Sequence, residues 1–428
     1  MISRRTFALL SSSLALSACA APYLGPGYTA PGYNGAPGAA TATPGAAGAQ
    51  GAASGRAVAA LLPLTGRFAG VAGALENAVH LALDAPGAPQ LTVLDTGGTA
   101  AGAAAAARQA VAAGAGLIVG PLTAAETAAA APVATAGGAY MLAFTNDPAE
   151  ARAGVWTLGI TPGEQVAALA AAAQAAGRTR IAALLPDDAF GHLLASGLQR
   201  AAGAAGAPSP TIRFTTGTFS DINVSIREMS QYQARRGPID AEIKAAQARG
   251  GVAGRRLAHQ LARQPIPPAP FDALLLGQID PAQLAEIATF LPYYDVSAPG
   301  VQVMGPAAWG AEVAALAAHP PLRGGWYPAP DPTARTAFVA AYQAKFGQAP
   351  PMIADLAYDA AAIARVLGAQ GGFTLAGLTS AQGFTGADGV FGLLPGGQVV
   401  RALAVYALAP GGGRLVRPAA TSLSAVGA

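Results

Sequence analysis

The chain has 428 residues, of which 52% are apolar and 11% are charged, and its formal net charge is +3. This length allows two or three domains, and the apolar fraction excludes an intrinsically disordered chain. The single cysteine excludes an intramolecular disulfide and a cysteine-based metal site.

The N-terminus has the pattern of an export signal. Arg4 and Arg5 precede a short apolar run, and small residues lead to Cys19 in "LSAC". This box resembles the bacterial lipoprotein signal, so we expect residues 1–18 to be removed and Cys19 to carry a lipid anchor. An ordinary secreted protein with a free thiol is the alternative. "SRRTF" also resembles a twin-arginine signal, which leaves both export routes open, and Ala20 favours the outer membrane.

Residues 19–55 are mainly Gly, Ala and Pro, with no charged residue and no hydrophobic periodicity. Such a composition predicts a disordered tether. We therefore expect the folded part to meet the membrane only through the lipid anchor.

From residue 57 onward, short apolar runs alternate with helical ones, which is typical of parallel sheets covered by helices. One series begins at residue 57 and a second near Pro162, so the sequence predicts two α/β lobes with a cleft between them. In chain order the predicted strands are "AVAALLPL", "QLTVLDT", "GLIVGP", "AYMLAF", "RIAALLP", "TIRFT", "FDALLLG" and "VQVMGP".

Several of these segments carry a family resemblance. "IVGPLTAAETAAAAPVATAGGAYMLAFTND", "FDALLLGQIDPAQLAEIATFLPYYDV" and "QVMGPAAW" together resemble the type 1 periplasmic-binding-protein fold, which has two Rossmann-like lobes and three crossings between them. Within that fold they are most similar to the penicillin-binding protein activator family of outer-membrane lipoproteins, which is related to leucine and branched-chain amino-acid receptors. The resemblance implies lobe 1 at 57–160 and 325–370, and lobe 2 at 161–324 and 371–417, with crossings near Ile160, Trp326 and Gly371.

The resemblance implies a non-enzymatic, lipid-anchored regulator of peptidoglycan synthesis. Such a protein faces the periplasm from the outer membrane and binds and activates a bifunctional class A penicillin-binding protein. The best-known members carry a helical-repeat domain where this chain has only the tether. A solute-binding receptor of a branched-chain amino-acid or amide ABC transporter is the alternative, and a sensor that needs both a ligand and a partner is a third.

Enzyme motifs are missing from the sequence. The four histidines have no metal-ligand spacing, and neither a Gly-x-Ser-x-Gly elbow nor a Ser-x-x-Lys motif is present. "GGTAAG" lacks the spacing of a dinucleotide fingerprint. We therefore expect no catalytic activity, cofactor or metal, and the export signal argues against a nucleic-acid partner.

In this fold small ligands bind in the cleft, at the carboxyl ends of the parallel strands. Thr123 and Thr145 could serve a ligand carboxylate, but Ala124 and Ala125 stand where amino-acid receptors commonly place a serine. These threonines are also typical of helix caps and turns, so it stays open whether any small molecule binds. The candidate cleft residues are Thr65, Thr123, Thr145, Asn146, Phe190 and Gln278.

A long insert at 213–263 concentrates the positive charge. It holds nine basic and four acidic residues, an excess of five positive charges. The spacing of Ile222, Ile226 and Met229 predicts helices docked on the second lobe with their arginines outward. Arginine forks suit carboxylates and phosphates, so the face is either a docking surface for a protein or an anionic polymer, or simply a solvated helical face. The predicted surface residues are Arg235, Arg236, Arg255 and Arg256.

Overall fold

The computed structural model of the chain describes residues 57–426. The predicted signal peptide, Cys19 and the tether lie outside the described residues. Within the described range two parallel sheets are covered by helices, which confirms the predicted α/β class. None of the described helices is long and apolar enough to cross a membrane.

The strands are β1 (Ala57–Leu62), β2 (Leu91–Asp95), β3 (Ala115–Val119), β4 (Tyr140–Ala143), β5 (Val155–Thr157), β6 (Ile181–Pro186), β7 (Thr211–Thr215), β8 (Ala273–Leu276), β9 (Gln302–Met304), β10 (Trp326–Ala329), β11 (Phe384–Gly386), β12 (Gly389–Leu393), β13 (Val399–Arg401), β14 (Ala404–Ala409) and β15 (Gly412–Arg417). The α-helices are α1 (Ala69–Leu83), α2 (Ala100–Ala112), α3 (Ala124–Ala136), α4 (Pro162–Ala175), α5 (Ala189–Ala204), α6 (Phe219–Met229), α7 (Tyr232–Ala248), α8 (Gly251–Ala262), α9 (Pro281–Tyr293), α10 (Val313–Ala317), α11 (Pro332–Phe346), α12 (Ile353–Ala369) and α13 (Leu375–Leu378).

Lobe 1 is built on a five-stranded sheet in the order β2-β1-β3-β4-β5, and all of its strands are parallel. Every residue of β3 is buried, as its uninterrupted apolar run predicts. On one face, α2 and α3 pack through buried alanines such as Ala103, Ala107, Ala130 and Ala134. Small side chains let the helices approach closely, which is how an alanine-rich chain builds this core.

Lobe 2 is built on a seven-stranded sheet in the order β15-β14-β10-β9-β8-β6-β7. Five strands, β10, β9, β8, β6 and β7, are parallel to one another. Strands β14 and β15 add an antiparallel edge. Helix α6 buries Ile222, Ile226 and Met229 in the core of this lobe, the face that their spacing predicts.

Two predicted boundaries between the lobes are displaced. Strand β10 pairs with β9 and β14, so residues 326–329 belong to lobe 2 and the second crossing follows Ala329. The third crossing lies at 401–404 instead of near Gly371. Its position follows from a small sheet, β11-β12-β13, which buries Phe384 and Phe391 in the core of lobe 1.

The first and third crossings are tied together by one side chain. Arg401, only 5% exposed, ends β13 and donates from Nη2 to the carbonyl oxygen of Leu158 over 2.6 Å. Its Nη1 donates to Asp388 Oδ2 over 3.1 Å. Leu158 lies at the first crossing, between β5 and α4, so the guanidinium joins the two connections where the chain passes from one lobe to the other.

Replacement of Arg401 with Met is expected to lower the free energy of unfolding by about 3–5 kcal/mol, because it leaves Asp388 buried without its cation. Urea unfolding followed by circular dichroism measures this change. The matched control is Arg414→Met, which removes an exposed arginine of β15 and should change stability by less than about 0.5 kcal/mol. Equal stability of the two variants would contradict a structural role for Arg401.

Candidate functional site

The predicted cleft residues follow the carboxyl ends of strands in both sheets. Thr65, Thr123 and Thr145 come after β1, β3 and β4, which are neighbours in one sheet, so they share an edge with Asn146. Gly120 makes the turn after β3 in the left-handed region (φ 90°), where a Cβ would collide with the carbonyl of Leu61.

Phe190 and Gln278 follow β6 and β8 in the other sheet. Phe190 is half-buried against the core of lobe 2. Gln278 is buried, and its carbonyl oxygen accepts a hydrogen bond from Trp309 Nε1 over 3.0 Å. These two positions therefore also serve the packing of lobe 2.

The hydroxyl of Thr65 is engaged by an acidic neighbour. It donates to Asp95 Oδ2 over 2.6 Å, and Asp95 Oδ1 accepts the backbone N–H groups of Thr65 at 3.2 Å and Gly97 at 2.8 Å. The hydrogen bonds from the Thr65 hydroxyl and from Gly97 hold the pKa of Asp95 below its usual value. This edge of the cleft thus presents an ionised, exposed carboxylate.

Thr123 is the N-cap of α3. Its hydroxyl accepts the backbone N–H of Glu126 over 3.3 Å, and its own backbone N–H donates to Glu126 Oε2 over 3.0 Å, forming a capping box. The hydroxyl also donates to Glu126 Oε2 over 2.7 Å. Glu126 is fully buried and also accepts from the hydroxyl of Thr96 at 2.5 Å. The interpretation of Thr123 as a helix cap therefore accounts for its contacts.

The fourth strand ends in a turn. The buried hydroxyl of Thr145 accepts the backbone N–H of Asp147 over 3.1 Å, and Asn146 beside it is exposed. The hydroxyl groups of Thr65 and Thr123 both donate hydrogen bonds to protein carboxylates, so neither can donate to a ligand carboxylate. Together with the charge of Asp95, this arrangement suits an amino-acid carboxylate poorly.

The helices of the insert cover residues 219–262, whereas Arg213 belongs to β7. α7 and α8 form an antiparallel hairpin with a small core of its own, to which Ala246, Ala258 and Leu261 contribute. We call this pair the basic hairpin.

The prediction that Arg235 is a surface residue is wrong. Its side chain is buried at the base of the basic hairpin and donates to the carbonyl oxygens of Ser230, Pro267 and Tyr294 over 2.8, 2.9 and 2.6 Å. Asp295 lies 3.6 Å away. Three inward-facing carbonyl groups need a donor, and the guanidinium supplies it.

Arg236 is only partly available, because it forms an ion pair with Asp240 one turn further along α7, at 2.8 Å. Arg255 and Arg256 are exposed on α8. They line one shallow depression of the surface together with Val252, His259, Gln260 and Arg263. The structure therefore shifts the candidate surface from α7 to α8.

The sequence from residue 57 to 413 matches the family model for periplasmic binding proteins. The chain belongs to the periplasmic binding protein family. No curated protein matches the chain in sequence.

Solved structures share the fold of this periplasmic binding protein. A protein from Rhodospirillum rubrum, named as a branched-chain amino acid ABC transporter, is 17% identical with a TM-score of 0.63, and the match covers 84% of this chain and 99% of that one. The C-domain of LpoA from Haemophilus influenzae, named as a regulator of PBP1A, is 17% identical with a TM-score of 0.58 over 84% and 99% of the two chains. In full-length LpoA the match covers 85% of this chain and 59% of that one, at 17% identity and a TM-score of 0.59.

Buried carboxyl groups cluster beside Arg401 in this periplasmic binding protein. Asp359 of α12 accepts the backbone N–H groups of Ala387 over 2.6 Å and Asp388 over 3.2 Å. One turn earlier, Asp355 is fully buried and pairs with Arg335 of α11 at 2.5 Å. None of the described residues forms a group of three or more acidic, histidine or cysteine side chains suited to a metal ion.

Burial dominates the ionisation of this cluster. Burial and the nearby Asp388 raise the pKa of Asp359 to about 7, and the same two causes raise the pKa of Asp355 well above its usual range. Burial also raises the pKa of Asp388, although Arg401 opposes it. Sequence analysis missed this cluster. Its signal is the pair of acids at i and i+4 in the otherwise apolar "IADLAYDAAAIA".

Stability is expected to fall as pH rises through this cluster. The pKa of Asp359 in the folded chain, about 7, lies above its ordinary 3.8, so the native state binds more protons than the unfolded state between these values and loses stability as pH increases. Asp355 and Asp388 act in the same direction. Urea unfolding at pH 5 and pH 8 should show lower stability at pH 8.

The variant Asp359→Asn should reduce this pH dependence, whereas the control Glu286→Gln, at an exposed position, should leave it unchanged. Equal stability of the wild type at both pH values would refute the linkage.

Replacement of Thr123 with Val removes both hydrogen bonds of the Thr123 hydroxyl to Glu126 and is expected to cost about 1–2 kcal/mol of unfolding free energy. Thr123→Ser keeps the hydroxyl and should stay close to the wild type. Chemical denaturation compares them. If Val and Ser variants are equally stable, the cap does not act as described.

Proposed function

We propose that this chain is a non-enzymatic, lipid-anchored regulator of peptidoglycan synthesis that binds and activates a bifunctional class A penicillin-binding protein. In this proposal Cys19 carries the lipid, and the folded part faces the periplasm from the outer membrane. The regulator LpoA shares the fold, which supports the proposal without deciding it.

The observation that carries the proposal is the internal use of the cleft hydroxyls. Thr65 and Thr123 donate to Asp95 and Glu126, so two of the three candidate cleft hydroxyls have no proton to donate to a carboxylate ligand, although the chain has the fold of a solute receptor. The basic hairpin is a further element outside the cleft, and its exposed cations offer a contact for a partner.

A solute receptor for a branched-chain amino-acid or amide transporter is the second candidate. It is favoured by Asn146, an exposed amide at the edge where ligands bind in this fold. Calorimetric titration with leucine, isoleucine and their amides separates the two functions. Binding in the micromolar range or tighter supports the receptor, and no heat of binding supports the regulator.

The regulator is tested by its effect on a synthase. Purified class A penicillin-binding protein from the same organism should polymerise and crosslink lipid II faster in the presence of the mature chain. The control is a binding protein of the same fold that serves a transporter. An unchanged rate, or capture of an ABC permease in place of a synthase after crosslinking in cells, would count against the proposal.

A further inference from the structure

We propose that the exposed face of α8, formed by Val252, Arg255, Arg256, His259 and Arg263, docks an acidic protein segment, in helical form, of the partner. The identity of that partner as a synthase rests on the proposed function. The chemistry of the contact rests on the residues of the hairpin alone.

The basic hairpin is a pair of packed helices attached to lobe 2. Its helices have 17 and 12 residues, which correspond to about 25 Å and 18 Å at 1.5 Å per residue. The two helices pack on each other around their own core, and α7 also packs on α6. Arg235 fixes the base through three carbonyl groups. A preformed surface loses little conformational entropy on binding.

Charge on the insert is unbalanced at this hairpin. Arg213, Arg235 and Arg236 pair with Glu228, Asp295 and Asp240, respectively. α8 itself contains no acidic residue. Among the described ion pairs none involves Arg255, Arg256 or Arg263. These cations therefore have no carboxylate partner within the described chain, and an acidic partner would supply one.

The exposed residues of α8 are spaced so that a helix of the partner could lie along them. Val252, Arg256, His259 and Arg263 recur every three or four residues, so they form one stripe over three turns of α8. The stripe is about 17 Å long at 1.5 Å per residue. A facing helix with Glu or Asp at the same intervals would place one carboxylate opposite each guanidinium, and arginine forks bind carboxylates through two parallel hydrogen bonds.

The composition of the face favours a protein over a membrane surface as its partner. Val252 is 58% exposed at one end of the stripe, which gives an apolar contact beside the arginines, as in protein interfaces. Helices that bind lipid surfaces carry large apolar residues such as Trp, Phe and Leu opposite their cations. The opposite face of α8 instead packs Ala258 and Leu261 against α7.

The experiment compares Arg255→Gln/Arg256→Gln/Arg263→Gln with the charge-matched control Arg108→Gln/Arg200→Gln/Arg414→Gln, whose arginines are exposed elsewhere. The first probe is the purified periplasmic part of a class A synthase, measured by biolayer interferometry at low and high salt. The hairpin variant should bind the synthase at least about tenfold more weakly. Its affinity should also depend less on salt, because salt weakens binding by screening the arginine charges that the variant lacks. The control should change affinity by less than about twofold.

A second probe separates this inference from the proposed function. It is a synthetic helical peptide with Glu at every third and fourth position, compared with its Gln analogue and with phosphatidylglycerol vesicles. If the wild type ignores the synthase but binds the Glu peptide through α8, the docking chemistry stands and the proposed function fails. Equal binding by the hairpin and control variants, no binding of the Glu peptide, or a preference for vesicles overturns the docking inference.

Discussion

The guanidinium of Arg401 holds together two of the connections that run between the lobes. It joins the Leu158 carbonyl at the first crossing to Asp388 beside the third. A buried arginine is stable only when its hydrogen bonds are satisfied and a counter-charge is near. The small sheet provides the counter-charge, since β13 carries the arginine and the turn before β12 carries the acid, and the Leu158 carbonyl accepts a second hydrogen bond. A buried polar contact therefore joins two of the connections through which the chain passes between the lobes.

Acidic side chains also hold the loops at the edge of the cleft. Charged residues make up only 11% of the chain, and several of the acids that remain are used to fix loops: Asp95 holds the turn after β1, and Glu126 holds the start of α3. A carboxylate that accepts hydrogen bonds from the loop leaves fewer hydrogen-bond donors free for a ligand. The receptor fold can thus persist as a scaffold after its ligand chemistry has been reduced.

Sequence patterns predicted most of the fold because the parallel strands are uninterrupted apolar runs followed by helical ones. They failed where composition is ambiguous. β10 and the strands of the small sheet are short, and nothing in their residues shows which sheet they join. Arg235 could not be assigned from sequence, since its burial depends on carbonyl groups at residues 230, 267 and 294, which only the folded chain brings together. Thr123 was assigned more closely, because an N-cap followed by Glu126 is a local signal.

The basic hairpin places cations in two different environments. Ala246, Ala258 and Leu261 are buried within the hairpin, and Tyr232 at the start of α7 packs on the core of lobe 2. The base of the hairpin is fixed by Arg235, a cation turned inward, while the cations of α8 are turned outward. The position of each arginine on the hairpin decides its partners. Arg235, close to lobe 2, donates to three carbonyl groups. Arg255 and Arg256 lie on α8 and form no described ion pair.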